Sequence, residues 1–555
     1  MFKGHPKGLY VLFFSNMGER FGYYTMMAIF TLYLEAKLGW SVDNLGIVWG
    51  GFLFCIYALP LIGGIWADKA GYGKVVKYGI YTMFAGYILL ALPGLGAWVL
   101  FASLIIIALG TGLFKGNLAV ILGNLYESKG LKPLHDAAFN IFYMGINVGA
   151  FIAPHAATGI RNFLMKKQGF TYDPSIPGMA HNFLNNGNQI ENLTEYTQLA
   201  QDQIGGASVD LSQFSQDYVD ALSQSYNAGF GLAAISMIVS LIVFIAFKKY
   251  YKHADYLQSK KIASGEAKEM SKKETKDRIV ALLLIFAVVV FFWMAFHQNG
   301  YTFTMFAKNY TTDSVGKFTN ILFDLPALLS VIGVIIGFVF LIGRKNTTRL
   351  KFIGLGMVVV GGLLAYYRIG SFEESGNPIT AELFQSFNPI FVVFLTPIVV
   401  GVFAWLKKRN KEPSTPKKIG TGMLIMAVGL CIMIFASLGV SSPESLESIG
   451  GRAPAIQLVT PYWLIGTYFS LTVAELFISP MGLAFVSKVS PPKFRGMMQG
   501  GWLFATAVGN LLSGLIGKFY ANWEVWQFIL MLVITSLISA MFMFSILKRL
   551  ERVTQ

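Results

Sequence analysis

The sequence predicts an all-α membrane protein that crosses the bilayer fourteen times, and three observations lead to this fold class. Hydrophobic residues make up 54% of the 555 residues, charged residues only 13%, and the mean hydropathy is +0.56. Apolar runs of about 17 to 30 residues recur along almost the whole chain, and a helix of that length crosses a hydrocarbon core about 30 Å thick. Lysine and arginine collect in alternate connecting segments. A soluble protein with buried helices would need many more polar residues between such runs.

The order of the spans predicts that both chain ends lie on one side of the membrane. The predicted spans are 9–36, 44–67, 73–93, 97–126, 135–164, 224–247, 279–307, 327–343, 350–368, 384–406, 419–440, 459–487, 496–520 and 526–547. With both ends in the cytoplasm, 33 of the 44 lysines and arginines fall in cytoplasmic segments and 9 in outer segments. This bias follows the positive-inside rule, so the net charge of +15 is mostly a topology signal and does not indicate nucleic-acid binding.

Other functional classes find little support. The first apolar run is too long for a signal peptide and carries charges, so we expect a multi-pass protein of a bacterial inner (plasma) membrane. Cys55 and Cys431 lie in different halves and predict neither a disulfide nor a metal site. The stretch GTGLFKGN (110–117) lacks the full phosphate-loop pattern and lies in a span. We therefore expect no enzyme and no cofactor, with energy from an ion gradient or from the substrate's own gradient.

Two polar stretches divide the chain. Residues 165–223 are rich in Asn, Gln and Ser and are predicted to form an outer loop, and residues 248–278 are highly charged and predicted to be a cytoplasmic linker. The linker separates an N-terminal six-helix bundle (1–247) from a C-terminal bundle (279–555). This layout resembles the major facilitator fold, in which two six-helix bundles rock about a central site. The connection GGIWADKAGYGK after the second span resembles the loop signature of that superfamily, G-x-x-x-D-[RK]-x-G-[RK].

Two spans are surplus to a twelve-helix core. The pair within 327–368, joined by RKNTTRLK, forms an in-and-out hairpin that leaves the later topology unchanged. It carries no charged residue within the membrane before Arg368. We expect this hairpin to lie at the periphery, in lipid or at an oligomer contact, and we expect the chain to act as a monomer.

Four charged residues stand out because they fall deep inside predicted spans, away from the span ends: Glu19, Arg20, Lys115 and Glu475. A charge at mid-bilayer costs about 2.5–3.5 kcal/mol on insertion scales, so each is a candidate functional residue. Asn16, Glu19, Arg20 and Tyr23 follow helical spacing and share one stripe, with Tyr24 at its edge. A polar pathway through the bundle accounts for this stripe, and a charge-paired lock without a ligand is the alternative.

Polar residues also mark later spans. Tyr143 and Asn147 lie one turn apart, as do Trp293 and His297. A histidine at that depth can relay protons near neutral pH, and the alternative is a neutral histidine bonded to a backbone carbonyl. Pro480 follows Glu475 by about one turn and predicts a gating hinge, because it frees a backbone carbonyl.

Six motifs resemble those of the proton-dependent oligopeptide transporter family, in the expected order. ERFGYY (19–24) is similar to the first-helix motif E-x-x-E-R-F-x-Y-Y, and FYMGINVGAF (142–151) to the signature of helix five. The others are GTGLFKGN with Lys115, SFNP with Asn388, AELFISP with Glu475, and GGWLFATAVGN (500–510) with Trp502. The resemblance covers almost the whole chain outside the outer loop and the hairpin.

The resemblance implies import of di- and tripeptides by proton-coupled symport through alternating access. It implies that Arg20 and Lys115 bind the peptide carboxylate and that Glu475 binds its ammonium group. The implied hydrogen-bonding residues are Tyr23, Tyr24, Asn147 and Asn388, and the implied walls of the side-chain pockets are Trp293 and Trp502. Glu19, His297 and Glu475 are the candidates for proton coupling. The expected partners are peptides, protons and the lipid bilayer.

Three departures from the family pattern leave alternatives open. Asn16 stands where the motif has its leading acid, and His297 stands where many members carry a glutamate in helix seven. The surplus pair of helices follows helix seven, whereas bacterial members commonly have it between helices six and seven. The alternatives are an uncoupled or weakly coupled peptide facilitator, or a transporter of another small anion such as nitrate, against which Glu475 counts. A receptor or anchor without transport would leave the buried charges unexplained.

Overall fold

The computed structural model contains a long helix at each of the fourteen predicted spans. It describes residues 4–126, 130–131, 134–187, 189–206, 208–255, 271–343, 346–447, 449, 451–491 and 494–554. The long helices are α1 (Lys7–Leu38), α2 (Val42–Ala70), α3 (Tyr72–Ala91), α4 (Ala97–Leu125), α5 (His135–Lys167), α6 (Leu211–Ala246), α7 (Lys272–Phe296), α8 (Leu325–Ile342), α9 (Thr348–Gly370), α10 (Phe387–Lys408), α11 (Thr415–Ser437), α12 (Tyr462–Val489), α13 (Arg495–Leu515) and α14 (Val525–Ser545).

Short elements complete the described chain. The short α-helices are Ile176–Asn185, Leu193–Ile204, Thr302–Tyr310, Lys317–Asn320, Pro443–Glu447, Gly517–Asn522 and Leu547–Thr554. The 3-10 turns are Lys248–Tyr250, Lys252–Ala254, His297–Gly300, Ala381–Ser386 and Ala455–Gln457. Strands β1 (Ser314–Val315) and β2 (Asn377–Pro378) pair antiparallel, with Ser314 opposite Pro378.

Length and composition qualify eleven of the described helical segments to cross a membrane. The three other long helices, α1, α3 and α5, are less apolar. Helices α1 and α5 contribute polar residues to a central cavity, and α3 contains four tyrosines. The polytopic membrane architecture is therefore confirmed. The lower hydropathy of α1 and α5 follows from the polar residues that they contribute to the central cavity.

The connections alternate between two faces of the molecule. We call the face that holds both chain ends the terminal face. The opposite, distal face holds the connections 39–41, 92–96, 168–210, 311–324, 371–386, 438–461 and 516–524. Helices α1–α6 pack mainly on one another, as do α7 and α10–α14. The helices therefore form two groups that meet around the centre of the molecule.

Helices α2 and α13 bring the two groups into close contact. A Cβ atom at Gly514 would lie 2.0 Å from the carbonyl oxygen of Gly46, which is closer than atoms can approach. Glycine is therefore required at this crossing, because only the absence of a side chain lets the two backbones touch.

Helices α8 and α9 form the predicted hairpin. The two helices approach each other closely at Gly337, where a Cβ atom would lie 2.6 Å from the carbonyl oxygen of Gly354. Arg368 Nη2 lies 2.7 Å from Asp324 Oδ2 at the distal end of the pair. Most other side chains of the hairpin are exposed, in agreement with a peripheral position.

The segment between α5 and α6 is more ordered than a loop. It contains two short helices, and α6 itself begins at Leu211, well before the predicted start at residue 224. Asp210 caps α6, because its Oδ1 accepts hydrogen bonds from the backbone amides of Ser212 and Gln213 at 2.9 and 3.2 Å. The first turns of α6 are polar, which is why hydropathy alone placed its start too late.

The predicted linker 248–278 is described only in part, since residues 256–270 lie outside the described residues. Its first part packs on the N-terminal group: the backbone amide of Gly73 donates to Asp255 Oδ1 at 2.8 Å, and Asn124 Nδ2 donates to the carbonyl of Ala254 at 3.0 Å. The domain boundaries at this linker stay predictions. The hinge predicted at Pro480 falls within α12, but the side chain of this residue lies outside the described part of the chain.

Candidate functional site

A cavity of about 290 Å³ lies between the two groups of helices. Its volume is near the lower end of the range for small-molecule sites, about 300–1,000 Å³. All nine residues predicted to bind substrate line it together: Arg20, Tyr23, Tyr24, Lys115, Asn147, Trp293, Asn388, Glu475 and Trp502. The structure thus gathers residues that lie far apart in the sequence, and their individual roles stay predictions.

Glu19 and Arg20 form a bidentate ion pair within α1. The Nε and Nη2 atoms of Arg20 donate to the two carboxylate oxygens of Glu19. Glu19 is fully buried and lies behind the cavity wall, whereas Arg20 is 5% exposed and lines it. The guanidinium carbon of Arg20 lies 4.7 Å from the centre of the Tyr23 ring. The pair offsets the cost of burying both charges and holds the cation at the wall.

Lys115 of α4 is the second cation of this wall. Its Nζ lies 3.7 Å from the centre of the Tyr57 ring on α2, which is a cation–π contact. Among the described residues, no carboxylate forms an ion pair with Lys115. Among the described residues, this wall therefore has two cations, Arg20 and Lys115, and one acid, Glu19, which is paired with Arg20.

The opposite wall carries Glu475 of α12. Asn388 Nδ2 donates to Glu475 Oε2 at 2.8 Å, and the same nitrogen lies 3.0 Å from Thr472 Oγ1. Glu475 is 8% exposed, and within the described part of the chain no cation pairs with it. As far as the described residues show, the cavity therefore has a cation without an ion pair on one side and an acid without an ion pair on the other.

Aromatic rings form much of the remaining lining. The His297 ring lies 5.0 Å from the Trp293 ring and 6.2 Å from the Tyr57 ring, centre to centre. His297 Nδ1 and Trp293 Nε1 are buried without a hydrogen-bond partner among the described residues. Because an unsatisfied buried polar atom is costly, these two nitrogens are placed to bond a polar ligand or water.

Trp502 reaches the cavity through space left by a glycine. A Cβ atom at Gly482 would lie 1.9 Å from the Trp502 ring, so no larger residue fits there with this ring position. Trp502 is 2% exposed and also packs edge-on against Phe286. The ring is therefore fixed by its neighbours and forms a rigid part of the wall.

Asn16 lies in the cavity lining, one turn before Arg20. It is 4% exposed, and its Nδ2 has no hydrogen-bond partner in the described structure. The departure from the family motif therefore falls at the cavity itself: an amide occupies a position where the motif has a carboxylate.

Sequence reasoning missed several lining residues, among them Trp49, Tyr57, Phe142, Phe296 and Gln385. Tyr57 is the most important of these, because it contacts both Lys115 and His297. The only signal was a phenol in the otherwise apolar run FLFCIYALP, and an aromatic residue in a span does not stand out as a charge does.

The arrangement can hold a small molecule with separated opposite charges. A carboxylate would find Arg20 and Lys115 on one wall, and an ammonium group would find Glu475 on the other. Charge-assisted hydrogen bonds are about twice as strong as neutral ones, so the two ends would fix the orientation of the ligand. The aromatic lining would pack against the apolar part of the ligand and would not require one particular shape of it.

Comparison with known proteins identifies relatives along the whole chain. The model of the POT family matches residues 74–264 and 366–527. Peptide transporter YePEPT of Yersinia enterocolitica is 27% identical over 536 residues, which cover 93% of this chain and 88% of that protein. Dipeptide and tripeptide permease B of Xenorhabdus bovienii is 26% identical over 528 residues, covering 93% of this chain and 88% of that protein.

Solved structures share the fold. A peptide transporter POT in complex with alafosfalin matches with a TM-score of 0.66 at 23% identity, covering 100% of this chain and 96% of that one. A POT family transporter in complex with 5-aminolevulinic acid matches with a TM-score of 0.66 at 19% identity, covering 100% and 98%. These likenesses confirm the predicted two-bundle fold.

Proposed function

The chain belongs to the POT family, and on that premise we propose that it imports di- and tripeptides by proton-coupled symport. The observation that carries this proposal is the charge arrangement of the central cavity. Lys115 and Glu475, neither of which has an ion-pair partner among the described residues, lie on opposite walls of a space of about 290 Å³. A peptide zwitterion has opposite charges at its two ends, so it complements both walls at once. The names of the relatives as peptide transporters and permeases support the same substrate class.

Each wall has a distinct role in this proposal. Arg20 and Lys115 bind the peptide carboxylate, and Glu475, held by Asn388, binds the ammonium group. Hydrogen bonds from Tyr23, Tyr24, Asn147 and Asn388 reach the peptide backbone and tolerate any side chain. Trp293 and Trp502 bound the space for side chains. One cavity can therefore accept many peptides.

The distal face is the outer face in this proposal. The lysine and arginine bias favours cytoplasmic N and C termini, and the terminal face then lies in the cytoplasm. A bacterial inner membrane suits the organisms of the named relatives. The chain acts as a monomer in this scheme and needs no cofactor, because the proton gradient supplies the energy.

Proton coupling is assigned to Glu19, His297 and Glu475. Arg20 is engaged by both oxygens of Glu19 in the present state. A proton on Glu19 would weaken that pair and release the guanidinium for the peptide carboxylate. His297 and Glu475 line the same cavity and can exchange protons with it once water enters.

Uptake of labelled dialanine into proteoliposomes that contain the full chain tests both parts of the proposal. We expect saturable uptake that an acid-outside gradient stimulates and that unlabelled dialanine competes. N-acetyl-dialanine lacks the ammonium group and should compete weakly. Uptake without stimulation by the gradient would overturn the coupling alone, and the absence of any peptide uptake would overturn the whole proposal.

A second candidate is an uncoupled or weakly coupled facilitator, which the amide of Asn16 favours because it removes a protonatable group from the cavity wall. Under this alternative, Asn16→Glu should increase the stimulation of uptake by an acid-outside gradient, and His297→Gln should leave it unchanged. Under the coupled mechanism, His297→Gln should reduce the stimulation. The same uptake assay at equal and unequal pH distinguishes the two.

A further inference from the structure

The two groups of helices also meet along a strip on the distal face. We call this strip the distal seam, and its residues are Glu35, His155, Arg161, Lys308, Glu382 and Ser386. Arg161 pairs with Glu382, and both side chains are fully buried. Lys308 Nζ lies 2.5 Å from Glu35 Oε1. Ser386 Oγ lies 3.2 Å from His155 Nδ1. Every one of these contacts joins the N-terminal half of the chain to the C-terminal half, so the seam closes the distal face.

His155 is the titratable residue of the seam that has no ion-pair partner among the described residues. Its Nδ1 lies 3.2 Å from the carbonyl oxygen of Phe151, one turn earlier on α5. Its Nε2 is buried and has no hydrogen-bond partner in the described structure. Ser386 follows Gln385, which lines the central cavity. The ring therefore lies between the outer end of the seam and the central cavity, with one nitrogen unused.

The charged groups that face His155 are already compensated. Asp324 faces the ring, together with the backbone of Phe323. Asp324 accepts from Arg368 at 2.7 and 3.1 Å, so its charge is paired. Further along α5, Glu382 is paired with Arg161, and its Oε2 has no hydrogen-bond partner among the described residues. A proton on His155 in this closed state would add a buried charge, and no acid that lacks a cation faces the ring in the described part of the chain, which is unfavourable.

Opening of the distal face changes the surroundings of His155. Helix α5 must separate from the turn Ala381–Ser386, which removes the contact with Ser386 and admits water to Nε2. An imidazole in water takes up a proton near pH 6.5, within the range of external pH that a proton gradient spans. The open form therefore binds a proton at this position more readily than the closed form.

We propose that His155 is a proton-sensing residue of the distal seam, neutral while the seam is closed and protonated from the outside when it opens. Acid outside then favours the open form, which admits the substrate, and the proton leaves His155 before the seam closes again. The inference rests on the proposed function for the orientation of the distal face and for the use of external protons. It adds a proton site that is separate from the central cavity.

The size of the effect follows from linkage. If only the open form binds this proton, its ratio to the closed form rises about tenfold when the pH falls from about 7.5 to about 5.5. A tenfold change in a two-state ratio is within reach of distance measurements on the intact protein.

The experiment measures the opening of the seam directly. Spin labels are attached to cysteines at Lys167, at the distal end of α5, and at Ser314 in β1, both exposed. Cys55→Ala and Cys431→Ala remove the native thiols. The full chain in lipid nanodiscs is measured by electron double resonance at about pH 7.5 and about pH 5.5, without peptide. We expect the long-distance population to rise about tenfold relative to the short one at the lower pH.

Two variants of His155 test whether this residue causes the pH response of the seam. His155→Gln should abolish the pH dependence, and His155→Asn should do the same if the first variant folds poorly. His181→Gln is the matched control, because His181 is another partly buried histidine of the distal face and its Nε2 lies 2.7 Å from the carbonyl of Ala36. The control should keep the full response.

Three outcomes would overturn the inference: no pH response in the unmodified chain, a full response in both His155 variants, or loss of the response in His181→Gln. The uptake assay stays separate from this measurement. Gradient-driven dialanine uptake with a pH-independent seam would reject the role of His155 and leave the proposed function intact. A pH response of the seam that depends on His155, in a protein that takes up no peptide, would support the role of His155 and reject the proposed function.

Discussion

The central cavity and the distal seam both combine charges from the two halves of the chain, but they do so in opposite ways. In the seam, Arg161 pairs with Glu382 and Lys308 pairs with Glu35 across the interface. In the cavity, Lys115 and Glu475 lie on opposite walls, and neither forms an ion pair within the described part of the chain. The charged pairs of the seam are therefore formed without a ligand, whereas the cavity still has charges to satisfy.

This difference indicates a division of tasks. Charges that are paired across an interface resist separation, because each would be left buried or would need water. Opposite charges that face each other without contact lose less on separation than a contact pair does, and they gain from a ligand that bridges them. The comparison therefore assigns closure to the seam and recognition to the cavity, and substitutions in the two regions should have different signatures.

Arg161→Gln should have the largest effect on the seam. It leaves Glu382 buried without its cation, and breaking a buried pair costs about 3–5 kcal/mol. We expect the closed distal face to lose most of its population, measured as a longer distance between labels at Lys167 and Ser314. Dialanine binding by the cavity should change much less.

The double variant Arg161→Met with Glu382→Leu is the control for that prediction. It removes both charges and keeps similar volumes, which is often close to neutral for a buried pair. We expect it to recover most of the closed population. A closed distance in Arg161→Gln equal to that of the unmodified chain would contradict the assignment of closure to this pair.

Glu475→Gln should affect the cavity and spare the seam. It removes the acid that faces the ammonium group, and a hydrogen bond to a charged group contributes about 1.5–3 kcal/mol. We expect dialanine affinity to fall by about 10- to 150-fold, measured by binding to the purified protein, with an unchanged label distance. N-acetyl-dialanine should bind both proteins equally.

Glu444→Gln is the matched control for the cavity, because Glu444 is an exposed acid of the same half on the distal face. Its dialanine affinity should equal that of the unmodified chain. Equal loss of affinity for dialanine and for its acetylated form in Glu475→Gln would show that the acid supports the cavity without contacting the ammonium group.

Glu35→Gln should have the smallest effect. It removes the acid of the second seam pair, but the Glu35 side chain is 21% exposed and water can replace part of the interaction. The Lys308 side chain is only 3% exposed, and leaving a buried polar group without its partner costs about 1–3 kcal/mol. We expect a smaller shift of the label distance than in Arg161→Gln, where both partners are fully buried. A shift as large as that of Arg161→Gln would show that the degree of burial does not determine which of the two pairs contributes more to closure of the seam.

The sequence predicted the spans and the charged residues of the cavity, for a physical reason. A charge within an apolar run is costly and therefore conspicuous, which is how Arg20, Lys115 and Glu475 could be identified before any fold was known. Motif order then added Asn388 and Trp502, which carry no charge. The structure places all of these residues on one cavity.

The seam could not be predicted in this way. Arg161 and Glu382 are 221 positions apart and lie near the ends of predicted spans, where charged residues are common. Their pairing depends on how α5 packs against the turn before α10, which no local pattern encodes. Tyr57 was missed for a related reason, since aromatic residues are frequent in spans and only its contact with Lys115 makes it notable.

The short strands β1 and β2 have a consequence for protein engineering of this chain. They pair Ser314 with Pro378 and Val315 with Asn377, so the chain leaves and re-enters the main body at neighbouring points. Everything between them, including α8 and α9, is a closed excursion of the polypeptide. The hairpin of α8 and α9 can be exchanged for another segment without re-threading the helices on either side, as long as Phe323, whose ring packs against Phe384 and Phe387, is kept. The junction at these strands is therefore the natural place to graft a reporter domain onto the transporter.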